Sequence, residues 1–432
     1  MATGIPQSAN ASNDAEAIRH IPIALSYEGK RTKDEILSSS FAMHSKVFHV
    51  NSESTSDNVF YWGDNFDVML QLLSEGSYKG KIKLIYIDPP FATKGTFQSR
   101  NQTHAYSDIL SGGQFVEFLR SRLILMRELL ADDGSIYLHL DNNMAFTMKI
   151  VMDEVFGEQN FRAFITRRKC SNKNYTKNTY GDIADYILFY SKTAKYVWNR
   201  PLAPWDEQRI VKEYPCIDEA TGRRYKKVPV HAPGVRNGET GMPWKGRMPP
   251  AGKHWQYTPA KLDEMDANGE IYWSPTGNPR RKVFFNPQSG IPVQNIWMDF
   301  RDSTNQNIKT TGYPTEKNFE MLKLIVAASS NEGDYVLDCF CGSGTTMDAA
   351  YSLGRKWIGI DNGEEALRAV LKRFVKGMEV YGDYVSKKSE EMKQMTLNIE
   401  ENKCYFDIIT DESREEHLKQ TLEAFIESDA CT

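Results

Sequence analysis

The sequence predicts an α/β protein, a doubly wound, mostly parallel sheet into which a large lobe is inserted. Three observations carry this. The run Leu84-Ile85-Tyr86-Ile87 is short, apolar and rich in β-branching, as expected of a strand covered on both faces, and it stops at Asp88-Pro89-Pro90-Phe91. A second run of this kind opens "YVLDCFCGSGTTMDAAYSLGRKWIGID", a strand-loop-helix-strand unit. Between the two, from about Val197 to Phe300, periodicity fails, and proline, glycine and six of the eight tryptophans punctuate the chain.

The elements follow in order. Residues 1–55 begin MATGIPQSANASNDAEA, without the basic and apolar regions of a signal peptide, and read as a partly disordered tail. "NVFYWGDN" is a short strand ending at Gly63-Asp64, and "FDVMLQLLSEG" is a helix closed by Gly76. The strand at 84–87 comes next. "GGQFVEFLRSRLILMRELLADDG" is an amphipathic helix, "SIYLHLD" a strand and "NNMAFTMKIVMDEVFG" another helix. "FRAFITRR" and "DYILFYSK" add two strands and complete a first half over 56–196. Alternation of strand and helix implies parallel pairing. Residues 197–300 form the separate lobe. A second half spans 301–380, with the helix "EKNFEMLKLIVAASS" ahead of the "YVLD" strand, and 381–432 is a polar extension holding the helix "SREEHLKQTLEAFIE".

At 432 residues the chain is long enough for a large core and a second domain. No apolar stretch approaches the roughly 18 residues that span a bilayer, so no membrane partner is expected. Six cysteines without a CxxC pair indicate neither a metal site nor a disulfide framework, and a reducing cytoplasm fits them. The net charge of -4 hides an asymmetry: residues 161–290 hold 23 Lys/Arg against 12 Asp/Glu, so the middle third is basic and the flanks acidic.

Ligands of open α/β sheets bind outside the carboxyl ends of the strands, and Asp88 stands at such an end. Pro89 and Pro90 must stop the strand, because neither can donate to a ladder. Gly342 and Gly344 lie between a buried strand and a helix, where glycine lets backbone approach a ligand. Asp361 ends the following strand, a position from which a carboxylate accepts hydrogen bonds from ribose hydroxyls. A nucleoside-containing cofactor is implied. A triphosphate site would need lysine where Thr345-Thr346 follow Gly344, and a dinucleotide fingerprint a third glycine where Met347 stands, so both are weak and the cofactor stays open at this point.

Asp88-Pro89-Pro90-Phe91 and Asp338-Cys339-Phe340-Cys341-Gly342-Ser343-Gly344 together resemble the catalytic and cofactor motifs of S-adenosylmethionine-dependent DNA methyltransferases that act on amino groups. The catalytic motif precedes the lobe and the cofactor motif follows it, an order similar to the permuted β class. "WGDN", "DDGSIYLHLD", "DYILFYSK" and "YPTEKNFEMLKLIVAASS" also resemble this family, above all the adenine-modifying subunits of type III restriction-modification systems and their stand-alone relatives. Cys339, Cys341 and Asn318 depart from the family pattern without removing a polar group the chemistry needs.

The resemblance implies a circularly permuted seven-stranded methyltransferase sheet with a target-recognition lobe, S-adenosylmethionine as cofactor and no metal. Double-stranded DNA is the partner it implies, inside a bacterial cytoplasm, with a homodimer and a restriction subunit as further partners. It brings Asp338, Phe340, Gly342 and Gly344 to the methionine side of the cofactor, Asp361 to the ribose and Asp64 to the adenosine side, with Thr345 a further cofactor-binding residue. Asp64 reads equally well as a turn aspartate after Gly63. Thr315 and Lys317 are candidates for the methionine carboxylate, the alternative for Lys317 being a solvated helix start. Asp88 and the Pro89 carbonyl, held rigid by Pro90, would accept the two N–H groups of an exocyclic amine, and Phe91 would stack on the unstacked base. Arg167, Arg168 and Lys169, Arg223, Arg224 and Lys226, and Arg280 and Arg281 are the candidate DNA contacts, a solvated face being the alternative. Methylation of adenine N6 is expected. The rivals are cytosine N4, whose enzymes tend to carry serine in place of Asp88, and a specificity subunit that directs a nuclease.

Overall fold

Runs of buried, β-branched and aromatic residues build one sheet of ten strands. The computed structural model describes residues 23–51, 55–90, 112–172, 178–302, 308–311, 313, 316–376, 379–381 and 404–430. The sheet strands, in chain order, are β1 Lys46–Val50, β2 Val59–Trp62, β3 Ile82–Ile87, β4 Leu130–Leu140, β5 Phe161–Arg168, β6 Ala184–Ser191, β7 Ile296–Trp297, β8 Tyr335–Asp338, β9 Lys356–Asp361 and β10 Phe406–Thr410. Their spatial order is β1-β10-β2-β9-β8-β3-β4-β6-β5-β7.

From β2 through β9, β8 and β3 to β4 every pairing is parallel, and β6 runs antiparallel to both β4 and β5. These seven are the strands expected from the sequence. Strand order reverses direction between β8 and β3, which are adjacent and parallel although the lobe separates them in the chain. A switch point of this kind opens a crevice at the carboxyl ends. Asp338 closes β8, and Asp88 follows β3.

Both faces of the central strands are covered. Ile85 and Ile87 enter a core shared with Leu72, Leu123 and Met148 from the helices Asn65–Ser74, Gly113–Leu129 and Ala145–Phe156. Leu84 and Tyr86, which alternate with them, are equally buried and lie outside that core. The helix Phe319–Ser329 packs on Thr345–Ser352.

Three strands extend the seven. Two come from segments expected to stay outside the fold: β1 from the tail, which also supplies the capped helix Lys33–Leu37, and β10 from the polar extension. "FDIIT" is an apolar run that the polar average of its surroundings conceals. The third, β7, pairs with Thr166 and Arg167 of β5. Residues 294–300 therefore belong to the larger unit, although they were expected in the lobe.

Residues 200–293 form a second compact unit. Its four-stranded antiparallel sheet runs in the order Ile271–Trp273, Pro279–Phe284, Arg224–Pro229, Cys216–Ile217. Trp244 and Trp255 are buried with Val230, Leu262, Met265 and Ile271, so these tryptophans fill a core. No helix among the described residues is long and apolar enough to cross a membrane.

Candidate active site

Strand β3 delivers Asp88 to the carboxyl edge of the sheet, followed by a buried Pro89 and an exposed Pro90. One oxygen of the carboxylate, Oδ2, accepts from Lys317 Nζ at 2.7 Å. The other, Oδ1, is buried and has no hydrogen-bond partner among the described residues. His139 Nδ1 lies 3.9 Å from it. A buried, unpaired carboxylate oxygen is costly, and such an atom marks a place where a donor belongs.

Behind Asp88 stands a buried polar chain drawn from four strands, β3, β4, β5 and β6. The Tyr86 hydroxyl lies 2.8 Å from His139 Nδ1, and His139 Nε2 lies 3.4 Å from Asp185 Oδ2. Arg167 comes within 3.6 Å of the same Asp185 oxygen, donates to the Phe300 carbonyl at 2.7 Å and pairs with Asp302. Lys169 reaches Asp185 Oδ1 at 3.0 Å. Burial pushes His139 below its ordinary value, which makes the ring neutral near pH 7. Burial opposes ionisation of Asp185 too, but the His139 ring and Lys169 hold it well below the usual carboxylate range.

The second edge of the crevice is the loop after β8. Gly342 and Gly344 have φ of 47° and 76°, left-handed values that glycine adopts without strain. A Cβ on Gly342 would lie 3.1 Å from the Tyr313 ring, and one on Gly344 2.8 Å from Met347 Cε. Asp338 Oδ1 accepts from the Phe340 N–H at 3.1 Å and Oδ2 from the Thr346 hydroxyl at 2.6 Å. Burial pushes Asp338 up to about 7, against the pull of these two donors.

Asp361 Oδ2 accepts from the Gly342 N–H and Oδ1 from the Gly363 N–H, both at 2.9 Å, and burial raises this carboxyl as well. Each oxygen keeps a second lone pair for a ligand hydroxyl. Gly63 N–H donates to the Asp361 carbonyl at 3.0 Å, so Asp64 and Asp361 stand at neighbouring strand ends. Asp64 caps the helix Asn65–Ser74 through the Phe66 N–H at 2.8 Å and pairs with Arg122 at 3.3 Å. Its turn role is therefore real, and a ligand role would be additional. Thr345 opens the helix Thr345–Ser352, with its hydroxyl 3.0 Å from that of Ser343.

Several residues that shape this site escaped the sequence reading. His139 and Asp185 are polar residues at buried strand positions, and that mismatch was the available signal. Arg373 gave none, sitting in "LKRFVK" like an ordinary exposed helix end. It is buried, and its guanidinium donates to the Ser343 carbonyl at 2.7 Å and Asp348 at 2.8 Å and bonds Glu316. Phe91 and Thr315 lie outside the described residues. Lys317, expected near a cofactor carboxylate, is in this structure engaged by Asp88.

The candidate DNA contacts divide. Arg167 is fully buried in the chain of ion pairs behind Asp88, so it is not available to a phosphate, which corrects that expectation. Lys169 is drawn to Asp185 and Asp182, and Arg168 to the Cys170 carbonyl at 3.1 Å and Asn172 at 2.9 Å. In the second unit, strand alternation puts Arg224, Lys226 and Arg281 on one face of the small sheet and Lys227, Lys282 and Arg280 on the other. Arg223 lies over the Phe284 ring at 4.5 Å, Lys226 over Tyr214 at 4.9 Å, and Arg281 bonds the Tyr257 hydroxyl. Arg223 and Arg280 are exposed.

A family model described as DNA methylase matches residues 82–372, which takes in β3, the lobe and the loop after β8. The chain belongs to the DNA methylase family. This methylase is 50% identical over 382 residues to the type II methyltransferase M.EcaI of Enterobacter cloacae, covering 88% of this chain and 83% of that one. It is 27% identical over 343 residues to the type III restriction-modification enzyme StyLTI Mod subunit of Salmonella typhimurium; the match takes in 70% of the methylase and about half, 51%, of that subunit. Among solved structures, the M1.HpyAVI–SAM complex is 15% identical, with a TM-score of 0.41 over 73% of the methylase and 99% of that chain.

Proposed function

We propose that this DNA methylase transfers a methyl group from S-adenosylmethionine to the N6 amine of an adenine turned out of duplex DNA at a short specific sequence. The observation that carries the reading is Asp88 Oδ1, a buried acceptor without a partner among the described residues, beside the Pro89 carbonyl at the switch point. An adenine amine is a poor nucleophile because its lone pair is delocalised into the ring. Two acceptors that take its N–H groups stabilise the positive charge that grows on nitrogen as it attacks, and Asp88 with Pro89 supplies both. The prolines fix that geometry before the base arrives. A paired base cannot reach a buried carboxylate, so the target leaves the stack.

When bound, the cofactor would supply an electrophilic methyl group on a positively charged sulfur that leaves as the neutral thioether, and the proton shed by the methylated nitrogen would pass to solvent. The donor set around the glycine loop fits such a group. Asp361 and Asp64 would hold the ribose and adenosine side, while Asp338, Phe340, Gly342, Gly344 and Thr345 would hold the methionine side, with room that a Cβ at either glycine would fill. An acid, not serine, at the head of the tetrad favours adenine over cytosine. Residues 200–293 would meet the duplex, Arg223 and Arg280 being exposed for phosphates. The Mod-subunit relatives make a restriction subunit and a second copy of the chain the protein partners to seek by co-purification.

The test is expression in a methylation-free bacterial host, followed by single-molecule sequencing for N6-methyladenine and N4-methylcytosine. Adenine marks within one short motif, absent with Asp88→Ala, are expected. Cytosine marks, or adenine marks that survive the substitution, would overturn the reading.

A further inference from the structure

Two adjacent residues, Glu316 and Lys317, reach to opposite sides of the crevice. Lys317 Nζ sits 2.7 Å from Asp88 Oδ2, and its side chain is only 12% exposed. Glu316 bonds the buried Arg373, which donates to the Ser343 carbonyl at 2.7 Å and the Thr345 hydroxyl at 3.1 Å, both on the cofactor side. The second arm is itself anchored, because Glu316 also accepts from the Thr311 N–H at 2.9 Å and hydroxyl at 2.8 Å. A single dipeptide therefore bonds Asp88 at the end of the acceptor strand with one side chain and, through Arg373, braces the cofactor loop with the other.

A buried ammonium survives as a charge only beside a carboxylate. Burial pulls Lys317 down, and Asp88, with help from Asp302, more than compensates. For its part, the Asp88 carboxylate turns about a terminal torsion with broad, two-fold wells, so nothing intrinsic fixes its plane. The bond to Lys317 does. It occupies Oδ2 and leaves Oδ1 as the oxygen a substrate donor can use.

We infer that Lys317 is a positioning residue for methyl transfer: it fixes the Asp88 carboxylate through Oδ2, presents Oδ1 to the target amine, and through Glu316 and Arg373 stays in register with the cofactor loop. The inference rests on the reading of Asp88 as the amine acceptor. It differs from a role in binding the cofactor carboxylate, because the partner is the acceptor itself.

The experiment uses the full chain, S-adenosylmethionine labelled in its methyl group, and genomic DNA from a methylation-free host. Wild type, Lys317→Met and Lys317→Arg are compared for the single-turnover rate at saturating cofactor and for the calorimetric Kd of the cofactor. Lys317→Met should keep the Kd within about threefold and lose about 100-fold in rate, the scale of an ångström-sized misplacement. Lys317→Arg, which can still donate to Oδ2, should recover at least about tenfold of that loss. A weakened Kd with the rate preserved would give Lys317 to the cofactor and overturn the inference. So would joint loss of both without rescue by arginine, or no change in either. The assay counts methyl groups whatever the base, so an N4-methylcytosine product would overturn the adenine reading and leave this inference standing.

Discussion

Replacing Asp338 by asparagine keeps the shape of the side chain and removes its charge, which separates two opposing effects of pH. Burial pushes this carboxyl up to about 7, with nearby Asp88 and Asp361 adding to the rise and the Thr346 hydroxyl and Phe340 N–H opposing it. At pH 6 it is then roughly one-tenth ionised and at pH 8 roughly nine-tenths. If the ionised form holds the cationic methionine end of the cofactor, affinity should rise about tenfold between those pH values. The stability of the cofactor-free protein should move the other way. A carboxyl whose folded value lies above its unfolded value stabilises the fold fully below about pH 4, and that contribution is lost as pH rises through about 7. Calorimetric titration with S-adenosylmethionine and thermal melts of the free protein, at pH 6, 7 and 8, measure the two slopes. Asp338→Asn should flatten both relative to wild type, and the difference between the proteins cancels the titration of the cofactor itself. A wild-type affinity that matches the variant's pH dependence would refute the assignment of Asp338 to the cofactor.

Three substitutions test other parts of the site. Gly344→Ala introduces a Cβ 2.8 Å from Met347 Cε at a φ of 76°, and should cost about 1–3 kcal/mol by urea unfolding while weakening cofactor binding; unchanged values of both would sink the cradle assignment. Arg167→Ala should cost about 3–5 kcal/mol, because it leaves Asp185 and Asp302 without the guanidinium between them. A variant as stable as wild type but weaker on DNA would return Arg167 to the DNA contacts. Arg280→Ala, on an exposed side chain, should instead leave stability alone and reduce the slope of log affinity for DNA against log salt by about 1. An unchanged slope would remove it from the interface.

Legibility in the sequence follows burial. Most of the seven strands could be read because they are sealed on both faces and end in a turn or an acid, as "LIYID" and "WIGID" do, while the half-buried β5 showed itself by its apolar and β-branched residues. The other three could not, for different reasons: β7 is two residues long, β1 mixes polar with apolar residues and is largely unburied, and β10 is an apolar run inside a segment whose average is polar. The residues expected to touch ligands stood out because chemistry restricts their types at strand ends. The residues that hold them did not. Arg373 looks like any helix-end cation, and the basic run Arg167-Arg168-Lys169 looks like one patch, although on a strand successive side chains point to opposite faces and only Arg167 is driven fully inside. The same alternation splits the basic residues of Arg224–Pro229 between two faces of the smaller sheet.

The position of Lys317 shows why permuted order and site geometry belong together. Sheet adjacency is decided by burial, so β3 and β8 pair whatever lies between them in the chain. Because the chain leaves the sheet after β6 and comes back through β7, it approaches β8 by residues 316–318 and the helix Phe319–Ser329. That approach runs past the carboxyl end of β3, where Asp88 stands, before the chain reaches the glycine loop. A lysine there can meet the acceptor, and the glutamate before it can reach the loop through Arg373, only because the connection follows the lobe. The separation of the two motifs in sequence is thus what gives the returning chain its passage between them, and the ion pairs of Glu316 and Lys317 are the physical record of that route.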